Sequence, residues 1–244
     1  MRNIVLTIAY DGTNYHGWQC QPNGITVEQV VRQAVEKILD HQAKIYAAGR
    51  TDAGVHAQGQ VVNFFTEKPI GLTNLARGLN SMLPEDIRVQ RGFEADPSFH
   101  ARYSARSKTY VYRVLNSLYD SPFYTRYAWH VPHILDVVKM DRVMTLVLGE
   151  HDFSAFKKKE EVYHSCVRNV ITARVKRRGG LVYFVLEGTG FLRYMVRNIV
   201  GTIMLVGLEK ITANDFSGIL ESRDRGQAGP TAPAKGLCLQ RITY

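Results

Sequence analysis

The chain has 244 residues, 45% hydrophobic and 22% charged, which predicts an ordinary globular protein long enough to enclose a real core. Lys and Arg outnumber Asp and Glu by 31 to 22, a formal net charge of +9. That excess favours polyanionic partners, because each cation releases counterions from a phosphate backbone; it equally suits a generally basic, solvated surface. The most apolar stretch, Phe191 to Leu208, is interrupted by Arg193, Arg197 and Asn198, so no membrane span is expected. Met1-Arg2-Asn3 runs straight into a strand-like segment without a signal-peptide pattern. Cys20, Cys166 and Cys238 are scattered, which argues against a disulfide framework or structural zinc and predicts reduced thiols in a cytoplasmic protein.

Ile4, Leu6, Ile8 and Tyr10 alternate, predicting a strand with one face in the core. Asp11 to Asn14 is turn chemistry, and Thr26 with Gln29 reads as a capping box before a helical stripe from Val27 to Leu39. A short strand near Lys44 to Ala48 leads into a Gly-rich loop. Gln60 to Thr66 is the next strand, Thr73 to Ser81 a helix, and Ile87 to Phe93 a further strand. This β-α-β-β-α-β order suggests a split βαβ unit of ferredoxin-like type.

Lys108 to Leu115 reads as a long strand with Tyr110, Tyr112 and Val114 on one face. A helical stripe from Met140 to Leu148 stops at Gly149. Strands near Arg168 to Lys176 and Leu181 to Glu187 flank the hairpin signal Arg177-Arg178-Gly179-Gly180. Leu192 to Val206 reads as a helix, Asp215 to Glu221 as a short one, and Leu237 to Thr243 as a closing strand. The expected fold class is α+β: two ferredoxin-like halves, 1–116 and 117–244, forming a mainly antiparallel sheet with helices on one face.

The chemistry-bearing residues are few. Phosphate-cradling loops, the Rossmann glycine fingerprint, the zinc-deaminase signature and helical His-x-x-x-His spacing are all missing. Asp52 lies between Gly49 and Gly54, two residues from Arg50, on a connection between strands. Such loops often carry reactive groups, yet spacing alone reads Asp52 most simply as a turn aspartate and Arg50 as half of a surface ion pair. Arg197 flanks an apolar helix stripe, where it is either a fixed partner for a carboxylate or a solvated side chain. Tyr110 is either a stacking surface for a base or simply a good strand former.

The ordered motifs carry more than any one residue. They are Tyr10-Asp11-Gly12-Thr13-x-Tyr15-x-Gly17-Trp18-Gln19, Gly49-Arg50-Thr51-Asp52-Ala53-Gly54-Val55-His56-Ala57, Leu79-Asn80 through Leu83-Pro84-x-Asp86-Ile87, Phe99-His100-Ala101-Arg102 and Lys108-x-Tyr110-x-Tyr112. Gly149-x-x-Asp152-Phe153-x-x-Phe156, Met195-Val196-Arg197-Asn198-Ile199-Val200-Gly201 and Gly236-Leu237 follow. Together they resemble the tRNA pseudouridine synthase A family over nearly the whole chain. One departure stands at Tyr163 to Arg168, where many members carry a Thr before the Arg.

The resemblance implies an isomerase converting uridine to pseudouridine at positions 38 to 40 of the tRNA anticodon stem-loop. It implies no cofactor and no metal, a homodimer, and tRNA as partner. By the same resemblance Asp52 is the catalytic carboxylate, Arg197 its pairing arginine, and Tyr110 the tyrosine against the target base. Arg50 then helps extrude the uridine, and His56 is a further candidate RNA contact. Two rivals are a non-catalytic RNA-binding module, which would be expected to lose Asp52, and a nuclease. The nuclease would need paired carboxylates or a His pair, and neither constellation is apparent.

Overall fold

The first alternating run forms β1 (Arg2–Tyr10) in the computed structural model, which describes residues 1–244. Ile4, Leu6 and Ile8 are buried as expected, but so are Val5 and Asn3. Half of the strand is therefore covered on both faces. Asn3 shows why: its Nδ2 donates to Asp96 O at 2.9 Å and to Phe99 O at 2.8 Å, which lays a later segment over the strand.

Thr26 caps α1 (Val27–Leu39) by accepting the Gln29 N–H at 3.4 Å, and Val27, Val31, Ala34, Val35 and Leu39 are its buried stripe. Next come β2 (Tyr46–Ala47), β3 (His56–Thr66), α2 (Leu72–Met82) and β4 (Ile87–Ala95). β1 lies between β3 and β4, antiparallel to both, and β2 pairs antiparallel with Asn63 and Val62 of β3. That spatial order is the split β-α-β arrangement expected from the sequence.

The following elements are β5 (Ser107–Leu115), β6 (Trp129–His130), α3 (Val137–Met144), β7 (Gly149–Asp152), β8 (Val167–Arg178), β9 (Leu181–Gly188), α4 (Met195–Gly207) and α5 (Ala213–Ser222). β9 is antiparallel to β5 on one side and to β8 on the other, and β7 extends the row beyond β8. β6 adds a short parallel pairing to β5. Finally β10 (Leu237–Thr243) pairs in parallel with β3, Cys238 opposite His56 and Leu239 opposite Ala57.

Two compact units result, one of Met1–Arg106 with Cys238–Tyr244 and one of Ser107–Leu237. This differs from halves at 1–116 and 117–244 for two reasons. β5 pairs with β9 from Lys108 to Leu115, which carries it into the second unit. The last strand returns to the first unit through β3. α4 also begins at Met195, later than its stripe suggests, because Tyr194 holds φ 67 and cannot join the helix. The class is α+β with mostly antiparallel strands, as expected.

Candidate active-site loop

The turn from Gly49 to Gly54 joins β2 to β3 and lies against the segment that follows β1. Its backbone is tied on both shoulders: the Trp18 N–H donates to Thr51 O at 3.1 Å, and the Gly54 N–H to Tyr15 O at 3.2 Å. Within it the Val55 N–H donates to Asp52 O at 3.1 Å. Such closeness requires two absent side chains. A Cβ on Gly12 would run into the Val55 carbonyl, and one on Gly17 would stand 2.6 Å from Thr51 O. Gly17 also holds φ +86, a conformation that costs glycine little.

Side chains add further ties. Buried Tyr10 shares a 2.8 Å hydrogen bond with Thr51 Oγ1, and Gln60 Nε2 donates to Gly49 O at 2.7 Å. Burial pushes the Tyr10 hydroxyl far above its ordinary pKa, outweighing the opposing hydrogen bonds to Thr51 and Gln60, so it stays neutral. Along the turn, Arg50 is exposed, Thr51 buried and Asp52 half-buried. The loop thus presents a guanidinium and a carboxylate from a backbone that is fixed on three sides.

His56 does not fit its expected role as an RNA contact. It is 5% exposed, and its Nδ1 accepts the Gly12 N–H at 3.0 Å while standing 3.0 Å from an Asp11 carboxylate oxygen. One nitrogen cannot accept from Gly12 and donate to Asp11 at once: an Nδ1 without a proton makes the first bond, an Nδ1–H the second. In either state the ring braces the turn from behind.

Tyr110 and Arg197 belong to the second unit, on β5 and α4, which pack together. Tyr110 is 7% exposed and meets Phe191 edge-on, with ring centres 5.3 Å apart at 87°. Tyr112, on the same strand face, is fully buried and donates to Pro233 O at 2.7 Å. Burial raises its pKa and the Arg197 charge pulls against that rise, so the guanidinium lies near this face. Arg197 Nε donates to Ala232 O at 2.8 Å, the Ala232 N–H returns to Arg197 O at 3.1 Å, and the guanidinium carbon sits 4.9 Å from the Tyr194 ring centre.

Asn198 completes the lacing of α4. It is fully buried, donates to Phe156 O at 2.7 Å, and accepts from Thr231 Oγ1 at 2.6 Å and Arg225 Nη2 at 3.1 Å. Arg197 is therefore held between a helix and a segment tied to that helix. Local sequence gave Asn198, Gly12 and Gly17 no part in the site. The available signal was an asparagine inside an apolar stripe and a glycine pair around an aromatic turn.

A family model described as tRNA pseudouridine synthase matches residues 6–104 and 143–244. The chain belongs to this family. Of the residues singled out above, Arg50, Asp52 and Arg197 lie within the matched stretches, and Tyr110 lies between them. Among relatives, the "tRNA pseudouridine synthase A" of Thermoanaerobacter sp. (strain X514) is 43% identical over 244 residues, covering 100% of both chains. The protein of that name from Acetivibrio thermocellus is 44% identical with the same coverage, and that from Moorella thermoacetica 42% identical over 99% of both chains. This pseudouridine synthase is thus an isomerase. A solved Cbf5-Nop10-Gar1 complex aligns at 15% identity and a TM-score of 0.39, covering 96% of this chain and 57% of that one, too distant to carry an argument. No helix of the synthase is long and apolar enough to cross a membrane.

Proposed function

We propose that the chain converts uridine to pseudouridine at positions 38 to 40 of the tRNA anticodon stem-loop, with Asp52 as the nucleophile. The observation that carries this is the Asp52 turn itself: a half-buried carboxylate on a backbone tied to Trp18, Tyr15 and Gln60. Preorganisation of that kind suits covalent catalysis, where the attacking atom must be placed before the substrate arrives. The reaction breaks the bond from ribose C1′ to uracil N1, turns the base, joins C5 to C1′, and moves the C5 proton to N1 through groups that relay it. It is redox-neutral and hydrolyses nothing, so it calls for neither cofactor nor metal. Asp52 adds either to C1′ or to uracil C6, and both routes use the same carboxylate.

The remaining roles follow family resemblance. Arg197 supplies the guanidinium that keeps a desolvated carboxylate ionised, and its fixed setting on α4 supports that role. Tyr110 packs against the target base and assists removal of the C5 proton. Arg50, exposed beside Asp52, helps hold the uridine out of the stem, which costs a few kcal/mol in unstacking. We further propose a cytoplasmic homodimer whose paired basic surfaces engage one tRNA.

Unmodified tRNA incubated with the parent protein and with Asp52→Ala, followed by mass-spectrometric mapping, tests the assignment. The parent is expected to give pseudouridine in the anticodon arm, and the variant none while still binding tRNA. Turnover by Asp52→Ala would remove the aspartate from its role. Binding without turnover by the parent would leave a non-catalytic RNA-binding protein.

A further inference from the structure

The Phe99-His100-Ala101-Arg102 motif and the segment around Lys44 take no part in the chemistry above, yet they meet in the first unit. The Tyr46 and His100 ring centres are 4.8 Å apart, and those of His100 and Tyr103 are 4.4 Å apart. A cation stands at each end of this row. Lys44 Nζ lies 5.2 Å from the Tyr46 ring centre, and the Arg102 guanidinium carbon 5.7 Å from that of Tyr103. Tyr103 is 77% exposed, Lys44 and Arg102 are exposed, and Tyr46 and His100 are half-buried. Core packing does not account for a ring as open to water as Tyr103 at the end of this row.

Its frame is rigid. The Ala101 N–H donates to Asn63 Oδ1 at 2.9 Å, and Tyr244 OH to Ala101 O at 2.8 Å. Asn3 Nδ2 holds Phe99 O at 2.8 Å, and the Ser104 N–H donates to His100 O at 2.9 Å. His100 Nδ1 accepts the Arg102 N–H at 3.1 Å, which places the proton of the neutral ring on Nε2 and turns a donor outward from that bond. With the backbone fixed in this way, little ordering remains to oppose a ligand.

Ring faces flanked by cations are what unpaired nucleobases stack on, with Lys and Arg taking the adjoining phosphates. We propose that Lys44, Tyr46, His100, Arg102 and Tyr103 form a second RNA contact, in which an unpaired base of the tRNA stacks on Tyr103 and its flanking phosphates meet Lys44 and Arg102. This rests on the tRNA assignment above and adds a site to it. The cations at both ends and the formal charge of +9 favour RNA over a protein partner. Tyr46 precedes Asp52 by six residues, a chain path of at most about 20 Å, so one RNA reaches both.

The test uses the full chain and unmodified tRNA, with Kd measured across a salt series and KM and kcat for pseudouridine formation. Tyr103→Ala is expected to raise Kd and KM about tenfold, with kcat and the salt slope held. Tyr103→Trp should restore affinity and report stacking by fluorescence quenching. Lys44→Ala with Arg102→Ala should flatten the slope of log Kd against log salt by about two. Thermal melting of each variant separates loss of contact from loss of fold. Unchanged Kd and KM in Tyr103→Ala would overturn the proposal and leave the row to a protein partner. If the parent makes no pseudouridine while Tyr103→Ala still weakens RNA binding, the contact stands and the activity assignment falls. Normal turnover that is indifferent to Tyr103 removes the contact alone.

Discussion

Gly17 carries three constraints at once: its φ is +86, its carbonyl receives the Val27 N–H at 3.1 Å, and the place of its missing Cβ lies 2.6 Å from Thr51 O. Gly17→Ala should therefore cost about 1–3 kcal/mol in urea denaturation from backbone strain and crowding. The effect on turnover should be larger in proportion, because a shift of about 1 Å in a reacting group costs about 100-fold in rate. Gly71→Ala is the control, since a Cβ there meets nothing within 4 Å; it should leave kcat unchanged. Unchanged turnover in Gly17→Ala would mean that the turn keeps its shape without this backing. In the sequence, the glycines flanking Asp52 mark a turn. Nothing local shows that Gly12 and Gly17, a third of the first unit away, form its rear wall. His56 illustrates the same limit: a histidine in a motif reads as a ligand contact until its burial against Gly12 is seen.

Among the elements, α4 shows most clearly what periodicity reveals and what it hides. Leu192, Met195, Val196, Ile199, Val200 and Ile203 are all buried, as their spacing predicts. The start of the helix is not legible, because Tyr194 takes its left-handed conformation in a tertiary setting where the Tyr163 hydroxyl accepts the neighbouring Arg193 N–H at 3.0 Å. β6 and β7, of two and four residues, are too short to show a period at all. Asn198 is the tie between α4 and the segment that holds Arg197. Asn198→Ala would take a partner from the buried Phe156 carbonyl and from the half-buried Thr231 and Arg225, and should cost about 1–3 kcal/mol in denaturation. With Arg197 loosened, kcat should fall about tenfold or more while tRNA affinity changes little. Equal losses of kcat and affinity would instead place this helix end in RNA docking.

For the whole molecule, the α+β class and the first split βαβ unit were legible because strand and helix periods alternate plainly up to Phe93. The division of the chain was not, since β10 carries no local mark of its partner: its pairing with His56 and Ala57 joins the last strand to residues in the first quarter of the chain. A protein of residues 1–106 alone should therefore lack a cooperative urea transition. Appending residues 238–244 through a flexible linker of about 15 Gly and Ser residues should restore one. A sharp transition for 1–106 alone would show β10 to be dispensable to that unit. The same connectivity imposes an order in time. During synthesis the first unit cannot gain its returning strand until all of Ser107–Leu237 has been made. At about 5–20 residues per second, that leaves the edge of β3 beside the Asp52 turn unpaired for on the order of ten seconds. Trp18, Tyr15 and Gln60 already hold the Asp52 turn by then, so the returning strand closes an open sheet edge beside a turn that is set early in synthesis.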